Sequence, residues 1–176
     1  MDDSIEYWLQ PWPFGMLGIG LGRLGLRRIL WSPAGGDREI YRRLAGEFGA
    51  GNVREREPEK DVSAEFEAYF EGRLERFESA VDARPGSPFQ ERVLRRLLHT
   101  RRGEITTYGA LARAVGRPGA ARAVGRVMAT NPLPIIIPCH RVLPADGSLG
   151  NYTGGVHIKE HLLAIEGVRP RDRRPH

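Results

Sequence analysis

The chain has 176 residues, of which 40% are hydrophobic and 28% charged, with a formal net charge of +5 at pH 7. This balance predicts a soluble, globular protein with one ordinary domain or two small ones. A single cysteine excludes an internal disulfide and any zinc site built from several cysteines. The acidic start, MDDSIEYW, lacks the basic region of a signal peptide, so we expect a cytoplasmic protein.

The N-terminal part carries the pattern of a small sheet followed by helices. Residues 14–31 alternate apolar and small side chains around glycines, which predicts a hairpin of strands 15–21 and 25–31. A GxGxxG match at 20–25 lies inside that hairpin, with no strand-to-helix junction, and does not indicate a dinucleotide site. Asp37 is predicted to cap a helix that runs to about Phe48.

A short exposed strand is predicted next, within residues 49–60, and then a helix. From Ser63, the stretch SAEFEAYF places Phe66, Tyr69 and Phe70 at the i, i+3, i+4 spacing of a buried helix face. The segment DARPGSP at 82–88 collects Asp, Gly and Pro, which predicts a domain boundary.

Three helices are predicted beyond that boundary. PFQERVLRRLLHT turns Val93, Leu94, Leu97 and Leu98 inward, and TTYGALARAV begins a second helix with Thr106 or Thr107 as its cap. The third, AARAVGRVMATNP, ends at Asn131 and Pro132. Two helices joined by a short glycine-containing turn form the outline of a helix-turn-helix, an outline that many helix pairs share.

The third helix of this group is unusually thin. Its small residues are Ala120, Ala121, Ala123 and Gly125, with Arg122 and Arg126 as the long side chains. Such a helix can bring its backbone close to the wall of a DNA groove, with arginine as the reaching group. The same pattern arises when a helix packs tightly on a neighbour, so composition leaves both readings open.

The one cysteine lies in IIIPCHRV, residues 135–142. Cys139 is either a buried apolar side chain, as the isoleucines suggest, or a nucleophile at the end of a rigid strand. A thiol attacks as thiolate, so a nucleophile needs a base, and His140 is the next residue. Neighbours on a strand point to opposite faces, however, and direct contact between the two does not follow from the sequence.

The motifs PFQERVL, ITTYGALARAVGRPGAARAVGRVMATNPLPIIIPCHRVL, GSLGNYTGG and KEHLLAIEG together resemble the O6-alkylguanine-DNA alkyltransferases, or methylated-DNA–protein-cysteine methyltransferases. The resemblance covers 88–167. It implies an α+β fold: a scaffold domain, 1–84, with a small antiparallel, ribonuclease H-like sheet, and a mainly helical domain, 85–168, with the helix-turn-helix and the active-site cysteine. A basic tail, 169–176, is expected to be disordered.

By this resemblance the catalytic residues are Cys139, His140, Glu166, Asn131 and Tyr108. Glu166 orients His140, which takes the thiol proton through a water, and Tyr108 donates a hydrogen bond to the leaving base. Asn131 fixes the strand and turn that present the thiol.

The resemblance also assigns the walls of the site and the DNA contacts. Its substrate pocket consists of Tyr152, Thr153, Gly154 and Val142, with Thr153 holding O6 of the base. Arg122 is the finger that fills the stack when the damaged nucleotide is flipped out into the pocket. The other implied DNA contacts, in the minor groove, come from Ala121, Ala123, Gly125 and Thr107.

The implied activity is DNA repair by direct reversal: irreversible, single-turnover transfer of an alkyl group from O6-alkylguanine to Cys139, with O4-alkylthymine as a second candidate substrate. No cofactor and no metal are expected. The expected partner is double-stranded DNA containing alkylated guanine, bound by a monomer that is nucleoid-associated if the cell is prokaryotic. Two alternatives are a lesion-binding module without chemistry and a helix-turn-helix regulator. Thr153 stands where serine is commoner in the family, which puts tolerance of large alkyl groups in doubt.

Overall fold

The computed structural model describes residues 4–32 and 36–169. The chain forms two compact units, Met1–Arg84 and Pro85–His176. The predicted tail lies outside the described residues apart from Arg169, and so does most of the predicted loop before Asp37. None of the helices in the described part of the chain is both long and apolar enough to cross a bilayer.

The first unit is built on a four-stranded sheet in the order β3-β2-β1-β4. Its strands are β1 (Ile5–Trp12), β2 (Gly15–Gly22), β3 (Gly25–Ser32) and β4 (Val53–Glu55). The predicted hairpin is β2 and β3, and the predicted α+β class with an antiparallel N-terminal sheet is confirmed. Two features were not predicted, namely β1 and the parallel pairing of β4 with β1.

The glycines of β2 serve packing. A Cβ on Gly18 would lie 2.3 Å from Ile40 Cγ2, and one on Gly20 would lie 2.6 Å from Ile5 Cδ1. Helix α1 (Asp37–Phe48), which carries Ile40, therefore approaches the sheet more closely than a larger residue at Gly18 would permit. The prediction that Asp37 caps this helix is wrong. The N-cap is Gly36, whose amide donates to Ser32 Oγ at 3.3 Å.

The second helix of this unit is α2 (Lys60–Phe70), which begins before the predicted Ser63. Its buried residues include Phe66 and Tyr69, and Phe70 is half-buried. The aromatic spacing therefore identified the core-facing side of the helix correctly.

The second unit begins with three helices at the predicted places. Helix α3 (Pro88–Leu98) is capped by Ser87, α4 (Tyr108–Ala114) is capped by Thr107, and α5 (Ala121–Ala129) follows a turn. Gly116 and Gly119 in that turn have φ of +73° and +86°, a region that favours glycine. The predicted helix-turn-helix is α4, this turn and α5.

The segment before the cysteine is not the strand that the isoleucine run suggested. Residues 134–136 form a turn, in which Ile135 has φ of +77°, and Cys139–Arg141 is a single 3-10 turn. The reason lies in Pro132, Pro134 and Pro138, which have no amide hydrogen for a strand ladder.

Two short strands and a last helix complete the unit. Strand β5 (Thr106–Thr107) pairs in parallel with β6 (Val142–Leu143), so that Thr106 faces Val142 and Thr107 faces Leu143. Helix α6 (Val156–Ile165) contacts the 3-10 turn. The start of the helix-turn-helix is thereby held beside the segment that carries the cysteine.

Candidate active site

Cys139 is presented by a braced turn. Its side chain is 6% exposed, and its amide donates to the carbonyl of Ile137 at 2.8 Å. The Asn131 side chain spans the same turn: Nδ2 donates to Ile137 O at 2.8 Å, and Oδ1 accepts from the Leu133 amide at 3.1 Å. The two hydrogen bonds of Asn131 thus brace the turn that carries Cys139, which is a turn and not the predicted strand.

The thiol is not activated by its surroundings alone. Burial raises the pKa of Cys139, while hydrogen bonds with Asn131 and Tyr152 and the positive charge of Lys159 lower it. Sγ lies 3.9 Å from the Tyr152 hydroxyl. The net direction is upward, so reaction at neutral pH requires a group that takes the proton.

The residue that follows Cys139 in the chain is a buried histidine paired with a carboxylate. His140 is fully buried, and its Nε2 lies 2.8 Å from Glu166 Oε1. Burial lowers the pKa of His140, which makes the neutral ring the resting form, and the contact with Glu166 opposes that shift. Because an ionised carboxylate only accepts, Nε2 carries the hydrogen and Nδ1 is the acceptor nitrogen. A neutral ring with an acceptor nitrogen is what a base for the thiol requires.

Arg141 shares the same carboxylate and was missed by sequence reasoning. Its Nε donates to Glu166 Oε2 at 2.8 Å and its Nη2 to Oε1 at 2.9 Å, while Nη1 donates to the carbonyl of Thr100 at 2.5 Å. Burial raises the pKa of Glu166, but the hydrogen bonds from His140 and Arg141 outweigh it and hold that pKa well below its usual range. Glu166 is thus kept ionised in a site that is almost closed to water.

The thiol lines a cavity of about 610 Å³. The lining residues are Tyr108, Gly125, Met128, Ala129, Cys139, Pro144, Gly150, Asn151, Tyr152 and Thr153. The structure therefore brings together five residues that the sequence assigned to the site or to DNA contact, from α4, α5, the cysteine turn and the loop before α6. The predicted pocket residues Val142 and Gly154 are not in this lining: Val142 is fully buried in β6, and Gly154 is half-buried.

The loop wall of the cavity depends on a glycine. Gly150 has φ of +63°, and a Cβ there would lie 2.8 Å from Pro144 Cγ, so a larger residue would be strained and crowded. In the helix wall, a Cβ on Gly125 would lie 4.0 Å from Tyr108 Cε1, which is an ordinary van der Waals contact. The small residue in α5 therefore leaves room beside Tyr108 in the cavity.

Tyr108 occupies the first turn of α4, directly after its cap. Thr107 Oγ1 accepts from the Ala110 amide at 3.1 Å, which fixes where the helix begins and where the Tyr108 ring stands. Burial raises the pKa of Tyr108, and the charge of a Cys139 thiolate raises it further. The phenol consequently stays protonated as a hydrogen-bond donor at neutral pH.

Helix α5 has features of both interpretations that the sequence left open, tight packing and an accessible side. Val124, Val127 and Met128 are buried, so the helix does pack tightly on its neighbours. Arg122 and Arg126 are exposed, and the small residues between them are half-buried. Close packing and an accessible arginine side thus occur together on one helix.

Lys159 is the second residue that sequence reasoning missed. It is 0% exposed, and its ammonium donates to Val142 O and to Leu149 O, both at 2.7 Å. Burial lowers its pKa to about 8, and the charge of Cys139 opposes that shift. A signal was available, because Lys159, Leu162 and Leu163 follow the i, i+3, i+4 spacing of one helix face.

The second helix of the helix-turn-helix forms one wall of a cavity that the Cys139 thiol also lines. This arrangement combines a motif typical of DNA-binding domains with a cysteine that is a candidate nucleophile. The family model described as the 6-O-methylguanine DNA methyltransferase DNA-binding domain matches residues 88–168. The methylated-DNA–protein-cysteine methyltransferase of Mycobacterium tuberculosis is 48% identical over 102 residues, 58% of this chain and 61% of that protein. Its counterpart in Methanosarcina acetivorans is 44% identical over 108 residues, 61% of this chain and 69% of that protein.

The likeness extends to whole structures. A crystal structure of Mycobacterium tuberculosis OGT in complex with DNA has a TM-score of 0.76 and 34% identity, covering 92% of each chain. The chain belongs to the methylated-DNA–protein-cysteine methyltransferase family. The resemblance in the sequence motifs is thereby confirmed, while the sequence alignment spans about three fifths of the length of the first curated relatives.

Proposed function

We propose that this protein repairs alkylated DNA by moving the alkyl group from O6 of guanine to Sγ of Cys139. The observation that carries the proposal is the position of the Cys139 thiol in the cavity beside α5, with the buried His140, paired to Glu166, as the next residue of the chain. Methylated-DNA–protein-cysteine methyltransferase is the name that the relatives carry, and one solved relative is described in complex with DNA. These names support the assignment of substrate and reaction.

In the proposed reaction the proton of Cys139 passes to Nδ1 of His140, directly or through a water. Glu166 stabilises the resulting imidazolium through Nε2, and Arg141 holds the carboxylate in place. Sγ then forms a bond to the alkyl carbon as the bond from that carbon to O6 breaks. The proton that the thiol gave to His140 is returned, through water, to the guanine, which becomes a neutral, unmodified base still attached to the DNA. The hydroxyl of Tyr108 donates a hydrogen bond that stabilises negative charge on the guanine during transfer.

For a base to reach the cavity it must leave the duplex, at a cost of a few kcal/mol. We assign the minor groove to α5, with Arg122 filling the space in the stack that the flipped nucleotide vacates. The exposure of Arg122 and the small residues beside it support this assignment. The groove offers little base-specific information, which suits a protein that must act on damage in any sequence.

The reaction ends with an alkylated protein. A thioether is stable, and the chain has no second cysteine to release the group. Each molecule, acting as a monomer in the compartment that holds the DNA, therefore repairs one lesion. Thr153 in the cavity wall carries a methyl group that serine lacks, so small alkyl groups are the favoured substrates.

The decisive experiment tests whether a labelled methyl group moves from DNA to Cys139. Duplex DNA carrying radiolabelled O6-methylguanine is incubated with the protein, and the digested protein is examined for the labelled peptide. We expect one equivalent of label on the Cys139 peptide and none in Cys139→Ser. Binding to the lesion without any label on that peptide would leave the lesion-binding module as the function.

The role proposed for Arg122, filling the place of the flipped nucleotide in the stack, is tested separately. Arg122→Ala is expected to slow repair of duplex DNA at least tenfold more than reaction with free O6-benzylguanine, since only the duplex requires flipping. Arg113→Ala, also an exposed arginine of the helix-turn-helix, is the matched control for lost positive charge. Equal losses on the two substrates, or equal losses in the two variants, would contradict the role of Arg122.

A further inference from the structure

We propose that Lys159 is a positioning residue that stabilises the thiolate of Cys139 by its charge while fixing the loop wall of the cavity. The proposal rests on the function proposed above for its biological meaning. Its physical content, a buried ammonium acting on a buried thiol, can be tested without DNA. No other lysine is available for this part of the protein, because the chain has only Lys60 and Lys159.

The geometry places the ammonium between the two segments that shape the site. One acceptor, Val142 O, belongs to the strand that follows the cysteine turn, and the other, Leu149 O, directly precedes the cavity residue Gly150. One side chain from α6 therefore ties the segment that carries the nucleophile to the loop that forms the opposite wall. Both acceptors are neutral carbonyls, which satisfy hydrogen bonds of the ammonium and leave its charge uncompensated.

The other charges in this part of the protein leave the Cys139 thiolate as the anion that can compensate the ammonium of Lys159. Glu166 is bound by Arg141 with two hydrogen bonds, so those two charges cancel, and His140 is neutral at rest. Among the residues that the structure describes, no carboxylate lies within ion-pairing distance of Lys159. An isolated buried ammonium is costly, and the cost falls when an anion forms nearby. Cys139 is the group whose ionisation supplies that anion.

The effect is reciprocal. The charge of Lys159 lowers the pKa of Cys139 against the upward effect of burial, and the Cys139 thiolate raises the pKa of Lys159. A group that only held the loop would need the two hydrogen bonds and no charge. The two roles therefore differ in what happens to the ionisation of the thiol when the charge alone is removed.

Other ionisable groups also lie near the thiol. Glu166 stays ionised at neutral pH, because the hydrogen bonds from His140 and Arg141 hold its pKa well below the usual value. Burial lowers the pKa of His140, and the charge of Lys159 lowers it further, while burial raises the pKa of Tyr108. The comparison that isolates the charge of Lys159 is therefore between a variant that removes this charge and a variant that keeps it.

The first experiment measures the rate of alkylation of Cys139 by iodoacetamide against pH. Cys139 is the only cysteine, so the reaction reports a single site. In Lys159→Gln, which keeps a donor and loses the charge, we expect the midpoint to rise by about one pH unit and the rate at pH 7 to fall about tenfold. Lys159→Arg, which keeps the charge, is expected to retain most of the rate, and Lys60→Gln is the matched control on the exposed lysine of α2. A Lys159→Gln midpoint equal to that of the unaltered protein would overturn the proposal.

A second experiment leaves Lys159 unaltered and so does not depend on how its variants fold. With ¹³Cε-lysine labelling the protein gives two lysine signals, and that of Lys60 is the reference. Replacing the thiol in Cys139→Ser is expected to move the titration of Lys159 to lower pH, because the compensating anion can no longer form. An unchanged titration of Lys159 would overturn the coupling. A failure of alkyl transfer from DNA, with the coupling intact, would instead count against the proposed function alone.

Discussion

Glu166→Gln removes the carboxylate that both His140 and Arg141 bind and keeps the shape of the side chain. The guanidinium of Arg141, 6% exposed, then stays buried with the Thr100 carbonyl and a neutral amide as its partners. Breaking one half of a buried ion pair costs about 3–5 kcal/mol, because the remaining charge has lost its compensation. We expect the second unit to lose about that free energy of unfolding at pH 7.

The loss of unfolding free energy in Glu166→Gln depends on pH, and the lowered pKa of Glu166 determines the direction of this dependence. Its pKa in the folded protein lies below that in the unfolded chain, so its stabilising effect is fully present above the unfolded value. That effect disappears as the pH falls below about 4–5, where the unfolded chain takes up a proton that the folded one does not. Glu166→Gln has no such group, so the two stability curves are expected to converge toward acid pH.

The assay must report on the second unit. All three tryptophans, Trp8, Trp12 and Trp31, lie in the first unit, so fluorescence follows that unit and is expected to be unchanged. Pulsed hydrogen exchange across a urea series, read by mass spectrometry on peptides from 139–168, follows the second. Glu160→Gln, an exposed position on the same helix, is the control and should change stability by less than about 0.5 kcal/mol. Equal urea midpoints for Glu166→Gln and Glu160→Gln at pH 7, or parallel curves against pH, would refute the reasoning.

Three further substitutions test how the site is held. Asn131→Ala removes the two hydrogen bonds that brace the cysteine turn and is expected to destabilise the second unit by about 1–3 kcal/mol, measured by the same exchange assay; an unchanged midpoint would contradict the bracing. Gly150→Ala places a Cβ at a position with positive φ and against Pro144, so it is expected to lower the free energy of unfolding by about 1–2 kcal/mol. It is also expected to slow alkylation of the thiol by bulky reagents more than by iodoacetamide. An equal reduction with both kinds of reagent would argue against a change in the loop wall of the cavity. Thr107→Ala removes the cap of α4 and is expected to cost about 1 kcal/mol, with Thr107→Ser close to the unaltered protein; a loss in both would mean that the methyl group, rather than the cap, matters.

The parts of the fold that the sequence predicted are those set by local chemistry. The apolar spacing of Val93, Leu94 and Leu97 identified α3, and Thr107 was one of the two caps proposed for α4. The start of α1 differs by one residue, because Asp37 was predicted as its cap and is instead its first residue. In these segments the hydrogen bonds join residues that are near neighbours in the chain, so the pattern alone determines them.

The parts that were missed depend on contacts between distant residues. Arg141 bonds to Thr100 and Glu166, which are separated from it by 41 and 25 positions, and nothing in a local pattern announces a buried arginine. The isoleucine run predicted a strand. The three prolines among and around it prevent one, because they cannot donate the hydrogen bonds of a strand ladder. The residues of the candidate site were named by family resemblance, and the structure adds their distances and the two buried cations; the roles of those residues stay predictions.

The parallel pairing of β5 with β6 links the start of the helix-turn-helix to the segment that carries Cys139. Thr107 is at once a strand residue and the cap of α4, and its partner Leu143 follows closely on the cysteine turn. If this two-residue ladder opens, the helix start and the thiol segment lose their shared anchor in one event. We therefore expect the two to exchange their amides as a single cooperative unit, so that a molecule able to hold DNA also has its sulfur in place.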